Sequence, residues 1–386
     1  MDIKEKPNIV LIAGEPSGDI LGASLMRALK SKAPDATFHG VGGALMGKEG
    51  LNSFYGIEEL SVMGFAEAVG RLWAIRKRLK ETLSKIEELR PDVVITIDFP
   101  GFNFLLGKKL KKRLKDIKLI HYVAPTVWAW KKKRAKKIVF LDHLMALFPF
   151  EPPYFTKHKI KCTFVGHPIT EEGLSEGSSQ AFKRKHDIKA NETVFVLLPG
   201  SREGELKYHI PVFLDMLKVL EKTVPRMRIV IPTLDHLMQI YEKEWITDIP
   251  TSFVIEQQDK KNAYAAAHLA IAASGTIALE LADAKLPMLI TYKVSPISAW
   301  IVRRLVQTRY FCMINILLRR RVIPELLQED CTGSKLALEA LKVLRNPQKR
   351  QQQLDAFSRV HNMLKPGDQS PSEKAADVVL KYLQKK

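Results

Sequence analysis

Short apolar runs with strand character alternate with helical segments twice over along this chain, and few architectures accommodate that alternation. In the first series the runs are Asn8 to Ala13 (NIVLIA), Asp92 to Ile97 (DVVITI), Lys118 to Val123 (KLIHYV) and His143 to Phe148. Apolar residues at helical spacing mark Ile20 to Leu29, Arg71 to Leu89 and Gly107 to Leu114 between them. A second series runs through Thr193 to Leu198 (TVFVLL), Met227 to Ile231, Phe253 to Ile255, Leu269 to Ala273 and Met288 to Tyr292. Apolar strands separated by helices are βαβ units of parallel sheets, so the expected class is α/β. A chain of 386 residues exceeds what one core usually serves. Residues 1–168 are expected to form one domain, 169–190 a polar linker region rich in Gly and Ser, 191–345 a second domain and 346–386 a helical tail. Two such halves would leave a cleft between the carboxyl ends of their sheets, which suits an enzyme holding one reactant on each lobe.

Ligands of open α/β sheets bind outside the carboxyl ends of the strands, so chemistry is expected in the strand-ending turns. The first, Ala13 to Ala23 (AGEPSGDILGA), carries Glu15, Ser17, Asp19 and glycines 14, 18 and 22. Ser17 as a helix cap and Asp19 as a favourable charge at the helix start account for both residues without any ligand; a ligand-binding turn accounts for them equally. Asp98 ends the run Val93 to Ile97, where partial desolvation would raise its pKa and make it a usable base; an Asx turn before Pro100 is the alternative. His121 and the two indoles of APTVWAW, Trp128 among them, stand near another strand end, where an indole suits a sugar face and a lone histidine suits a core. In the second half, Gly200, Ser201 and Arg202 of LLPGSR offer close backbone approach, a helix cap and a planar donor fork for phosphate. Ser274, Gly275 and Thr276 open another helix after a strand, and Glu280 inside it either bonds a ribose hydroxyl or is a solvated charge. Neither a DxD pair nor a His/Cys cluster with zinc spacing occurs, so no metal or other cofactor is expected.

The chain carries 61 Lys and Arg against 42 Asp and Glu, a net +19, which favours polyanionic partners: nucleic acid, an anionic membrane face or phosphorylated substrates. Leu60 to Trp73 (LSVMGFAEAVGRLW), with Met63, Phe65, Val69, Leu72 and Trp73, is unusually apolar and is followed by basic residues, the pairing an interfacial lipid-binding element needs; core packing explains many of the same residues. The basic runs Lys108 to Lys115 and Lys131 to Lys137 add to it. Three scattered cysteines fit a reducing cytoplasm, and no apolar stretch approaches the roughly 18 residues that span a bilayer.

The ordered set AGEPSGDILGA, GVGGALMGKEG, ELSVMGFAEAVG, TIDFPGFN, HYVAPTVWAW, LFPFE, FVGHP, LLPGSR, ASGTIALE and ELLQED closely resembles the lipid-A-disaccharide synthases, bacterial membrane-associated glycosyltransferases of the GT-B fold. The resemblance covers nearly the whole chain, Pro16 being a mild departure. It implies two Rossmann-like domains and transfer of 2,3-diacylglucosamine from its UDP ester to the 6-hydroxyl of 2,3-diacylglucosamine 1-phosphate (lipid X), forming a β(1→6) disaccharide 1-phosphate and UDP. By similarity Asp98 would be the base, Glu15 and Asp19 would lie near the acceptor or support the base, and Arg202, Ser274, Gly275, Thr276, Glu280, Asn315, Glu325 and Gln328 would hold UDP. Ser17, His121, Trp128 and the segment from Leu60 would serve the acceptor and the membrane. The resemblance also implies a tail returning to the first domain, a homodimer through the carboxyl-terminal part and a peripheral place on the cytoplasmic face of the inner membrane. Two rivals are a UDP-N-acetylglucosamine 2-epimerase of the same fold and a nucleic-acid-binding protein; the apolar segment speaks against the first, and the lack of an RNP strand, KH loop or zinc finger against the second.

Overall fold

The computed structural model describes residues 4–61, 68–129, 132–273, 277–305 and 308–384. The chain divides into two units, residues 1–171 with 364–386 and residues 172–363.

The first unit is built on seven parallel strands: β1 (Asn8–Ala13), β2 (Thr37–Val41), β3 (Leu51–Ser53), β4 (Val93–Ile97), β5 (Lys118–Tyr122), β6 (His143–Ala146) and β7 (Cys162–Phe164), in the order β3-β2-β1-β4-β5-β6-β7. Ile9 to Ala13 are completely buried, as the unbroken apolar run requires of a central strand with helices on both faces. The order reverses between β1 and β4, whose last residues, Ala13 and Ile97, are register partners. The turns that follow these two strands therefore open on the same crevice.

The second unit repeats the plan with six parallel strands: β8 (Thr193–Leu198), β9 (Met227–Pro232), β10 (Thr251–Val254), β11 (Leu269–Ala273), β12 (Met288–Tyr292) and β13 (Glu325–Leu327), in the order β10-β9-β8-β11-β12-β13. Here the reversal lies between β8 and β11, with Leu198 paired to Ala272.

Two boundaries differ from the sequence reading. Much of 169–190 is built into the second unit: helix Ser179–Lys185, capped by Ser178 through Ala181 N, packs against helix Gln257–Ala266. Its Gly and Ser residues are caps and close approaches, which in composition look like a linker. At the other end, helix Pro347–Leu364 stays with the second unit up to Met363, where Gln353 is buried and exchanges hydrogen bonds with Met288 N and O. Helix Pro371–Leu380 belongs to the first unit and packs against helix Pro16–Lys32, and the Lys32 ammonium pairs with Asp377.

Candidate active site

Asp98 stands directly after β4, and the backbone there is unusual. Asp98 and Phe99 are both left-handed, at φ 46° and 47°, a region that a residue as bulky as phenylalanine avoids. Such strain persists where neighbours hold it, and here the holder is Asn103. Its buried amide donates to Asp98 O at 2.7 Å and Ile97 O at 3.2 Å, while Asp98 N donates to Tyr122 O at 2.8 Å. Gly14 completes the arrangement, since any side chain on it would run into the Phe99 ring. The turn presents a half-buried Asp98 carboxyl that burial lifts above the usual carboxylate range, against a smaller opposing pull from the Phe99 amide. A carboxylate with raised basicity at a sheet's reversal point has the properties of a general base. A buried amide reaching strand-end carbonyls has no signature in spacing, so nothing in TIDFPGFN marks Asn103.

The β1 turn differs in detail from its sequence reading. Glu15, not Ser17, is the helix N-cap: it is extended at φ −144°, its carbonyl accepts from Gly18 N and Asp19 N, and Pro16 follows at the first helical position. Proline suits that position because its missing N–H has no partner to lose, and this places exposed Ser17 one residue too late to cap. Asp19 is buried in the first turn of this helix, and its hydrogen bonds reach beyond it. Its carboxylate accepts from Gly43 N at 2.8 Å, Leu45 N at 3.0 Å and Met46 N at 3.0 Å, capping the short helix Ala44–Lys48 that follows the β2 turn. That carboxylate is committed to holding the GVGGALM loop. Asp19→Ala is therefore expected to cost about 2–3 kcal/mol, because it strands three backbone donors. Urea denaturation would measure this; an unchanged midpoint would show the bonds carry no net stability.

His121 and Trp128 also depart from the acceptor roles given them. His121 lies inside β5, completely buried, with Nδ1 2.8 Å from Thr96 Oγ1 and its ring 4.7 Å from that of Phe104. Burial pushes its imidazole down to about 3, so it stays neutral across the working range of pH. Trp128 is buried edge-on to Phe148 and Phe150, and its indole N–H donates to Glu151 Oε1 at 3.1 Å. Glu151, raised to about 7 by burial against the pull of the Phe148 and Leu147 amides and of Trp128, ties the APTVWAW segment to the LFPFE turn. Met63 and Phe65 lie outside the described residues, as do Ser274, Gly275 and Thr276; Val69, Leu72 and Trp73 fall in helix Ala68–Leu89, with side chains outside the description. We expect His121→Phe to leave kcat/KM within a few-fold and to remove no limb from the pH profile between about pH 5 and 8. A large loss of turnover in a normally folded His121→Phe protein would return this residue to the reaction.

In the second unit, a cavity of 490 Å³ opens at the carboxyl ends of β8, β9, β10 and β11. Gly200, Ser201, Arg202 and Glu280 all line it, as do Glu205 and Lys260. Gly200 adopts φ 136°, open to glycine alone, and Glu205 folds back so that its carboxylate accepts from Ser201 N at 2.9 Å. The N-cap of helix Glu203–Glu221 is Arg202, through its carbonyl, rather than Ser201. The exposed Arg202 guanidinium is thereby left to the cavity mouth. Glu280 pairs with Lys260 Nζ at 2.5 Å, and that ammonium sits over the Tyr264 ring at 5.8 Å. Neither Lys260 nor Glu205 was legible in sequence; both lie in helices whose charged residues read as solvated faces. The first unit has a wider opening, 1110 Å³, lined by Lys4, Arg90, Arg113 and Tyr382, but it lies at the amino ends of β4 and β5, away from Asp98.

Asn315 and Glu325 form a separate clasp. The buried Asn315 amide donates to Ile323 O and Glu325 Oε1, both at 2.8 Å, and its oxygen accepts from Val322 N and Ile323 N. Glu325 also accepts from Phe311 N and Cys312 N. Gln328, left-handed at φ 52° after β13, accepts from Val294 N at 3.4 Å. None of the three is among the described residues lining the cavity, and the polar atoms of the first two are already satisfied by the fold. Among the described residues there is no group of three His, Cys, Asp or Glu that could hold a metal ion, and no helix long and apolar enough to cross a membrane.

Comparison with known proteins adds to this geometry. Residues 9–379 match the family model described as lipid-A-disaccharide synthetase. A lipid-A-disaccharide synthase of Rhodospirillum centenum is 43% identical over 381 residues, covering 98% of this chain and 95% of the relative. One from Gluconobacter oxydans is 41% identical, covering 97% and 90%. Among solved structures, a UDP-GlcNAc 2-epimerase from Neisseria meningitidis bound to UDP-GlcNAc superposes with a TM-score of 0.63 at 13% identity, covering 98% of this chain and 99% of that one. A glycosyltransferase from Rickettsia africae does so at 0.60 and 13%, with the same coverage. At such identities these structures share the GT-B fold with the chain and nothing finer.

Proposed function

The chain belongs to the lipid-A-disaccharide synthase family, and from that premise we propose that it transfers 2,3-diacylglucosamine from its UDP ester to the 6-hydroxyl of 2,3-diacylglucosamine 1-phosphate. The products are the β(1→6)-linked disaccharide 1-phosphate and UDP. The epimerase alternative is matched in fold alone.

The observation that carries the mechanism is the Asp98 turn: a strained, braced carboxyl of raised basicity at the reversal point of the first sheet. In this reading Asp98 takes the proton of the acceptor hydroxyl as its oxygen attacks the anomeric carbon. The bond from that carbon to the diphosphate oxygen breaks on the opposite side, which inverts the centre in one displacement. The electron pair leaves on UDP. Its growing charge is met by the Arg202 guanidinium and by the start of helix Ile277–Asp283. In the same reading Glu280, paired with Lys260 in the structure, takes a ribose hydroxyl when the nucleotide loosens that pair. Asp19, Asn103, Asn315 and Glu325 hold the surrounding loops in place through their hydrogen bonds.

Acyl chains and phosphate on both substrates put the reaction at an anionic membrane surface, with Leu60 to Trp73 as the apolar approach, and a homodimer through the carboxyl-terminal part belongs to the same reading. The test is incubation with both lipid precursors and mass detection of the disaccharide, with a chelator control. Epimerised UDP-N-acetylglucosamine in place of disaccharide would replace this function with the alternative.

A further inference from the structure

Helix Pro296–Leu305 of the second unit carries two large apolar side chains on its exposed surface. Ser295 starts it, its hydroxyl accepting from Ser298 N at 3.2 Å. Ile297 is 74% exposed and Trp300 57%, while Ala299 is buried at 6%. Positions 297, 300 and 304 share one helical face, and Ala299 lies on the opposite one. The exposed Arg304 guanidinium covers the Trp300 ring at 4.1 Å, so the indole and a cation form one unit at the surface.

The charge of the surrounding tract is one-sided. From residue 284 to 324 the sequence holds eight Lys and Arg and no Asp or Glu. Arg309, Arg319, Arg320 and Arg321 are exposed. The first carboxylate after the tract, Glu325, is occupied by Phe311 N, Cys312 N and Asn315.

We infer that the Ile297–Trp300–Arg304 face of this helix is a membrane-contact surface of the second unit, taking an anionic lipid bilayer at its headgroup level. An indole and an isoleucine beside exposed arginine charge are what such a surface binds: rings seated at the interface, an aliphatic chain below them, cations on the phosphates. A second copy of the chain would have to bring carboxylates from elsewhere on its surface to this acid-free tract, whereas an anionic bilayer supplies the charge throughout. A nucleic acid would use the arginines and the indole but gains nothing from exposed Ile297. The inference concerns binding alone and does not depend on which reaction the protein catalyses.

The test uses the full chain and vesicles of phosphatidylcholine with and without about one quarter phosphatidylglycerol, in a co-sedimentation assay. Ile297→Ser with Trp300→Ser should weaken binding to the anionic vesicles about tenfold or more, and Arg304→Gln about fivefold, the equivalent of one cation near an anionic surface. Because Leu60 to Trp73 is a separate apolar segment, the same changes are repeated on a protein already carrying Met63→Ser, Phe65→Ser and Val69→Ser, where the loss should persist. Brominated lipid should quench a fluorescence component that Trp300→Phe lacks, a readout independent of any other contact. Unchanged partitioning together with unquenched Trp300 would overturn the proposal. So would a shift from dimer to monomer in the Ile297→Ser, Trp300→Ser protein with vesicle binding intact, or salt-sensitive RNA binding that outcompetes lipid.

Discussion

Asp98→Asn should lower kcat about a thousandfold while the protein folds as before. Asparagine keeps the size and the local hydrogen bonding of the turn but cannot accept the hydroxyl proton, and general bases typically contribute about 10²–10⁴. The raised pKa gives the prediction a direction in pH. Only the ionised carboxylate is competent, so kcat/KM of the unaltered protein should fall as pH drops through that elevated pKa, whereas the residual rate of Asp98→Asn should be flat there. Stability moves the other way. Burial raises the folded-state pKa above the unfolded value, so ionised Asp98 weighs on the folded state at higher pH and protonation relieves it. Asp98→Asn should therefore melt no lower than the unaltered protein at alkaline pH. Full turnover in Asp98→Asn would remove this residue from the chemistry; a lowered melting temperature would mark its role as structural.

Arg202→Met should lower kcat/KM for the donor about a hundredfold and weaken product inhibition by UDP in parallel. A planar fork on a diphosphate is worth a few kcal/mol where water is scarce. The folding role of Arg202 is carried by its carbonyl, which accepts from Glu205 N at 2.9 Å and Leu206 N at 3.1 Å and survives any side-chain change. Arg202→Lys keeps the charge and loses the fork, so it should fall between the two. Loss of acceptor affinity with unchanged UDP inhibition would move Arg202 to the other substrate.

The long, apolar, central strands were legible because nothing polar interrupts them: β1, β8, β11 and β12 span the runs read from sequence. Strands β3, β7 and β13 went unread, since three residues such as LNS, CTF or ELL carry no period, and β2 is disguised by His39 and Gly40. The helix expected from Gly107 begins at Pro100 instead, because PGFN reads as a turn until Pro100 is recognised as the first helical residue. Asp98 and Arg202 could be proposed from sequence because each follows a readable strand. Asp19 could not be assigned, for its partners Gly43, Leu45 and Met46 lie in another turn and no local spacing reports them. For His121 and Trp128 the sequence left core and site open, because the neighbours that bury them, Phe104 and Phe148, are supplied only by the tertiary structure.

The last two dozen residues belong to the first unit, where Lys4 N reaches Leu383 O at 3.1 Å, Tyr382 bonds His143 at 3.0 Å and Ser372 donates to Glu171. During synthesis the opening 171 residues leave the ribosome with one flank of helix Pro16–Lys32 uncovered, and the piece that covers it is translated only after residue 363. At about 5–20 residues per second that interval lasts roughly 10–40 s. The half of the protein that is made first is thus finished last, and a ribosome that stalls or a protease that trims the end leaves the first unit incomplete while the second is already whole.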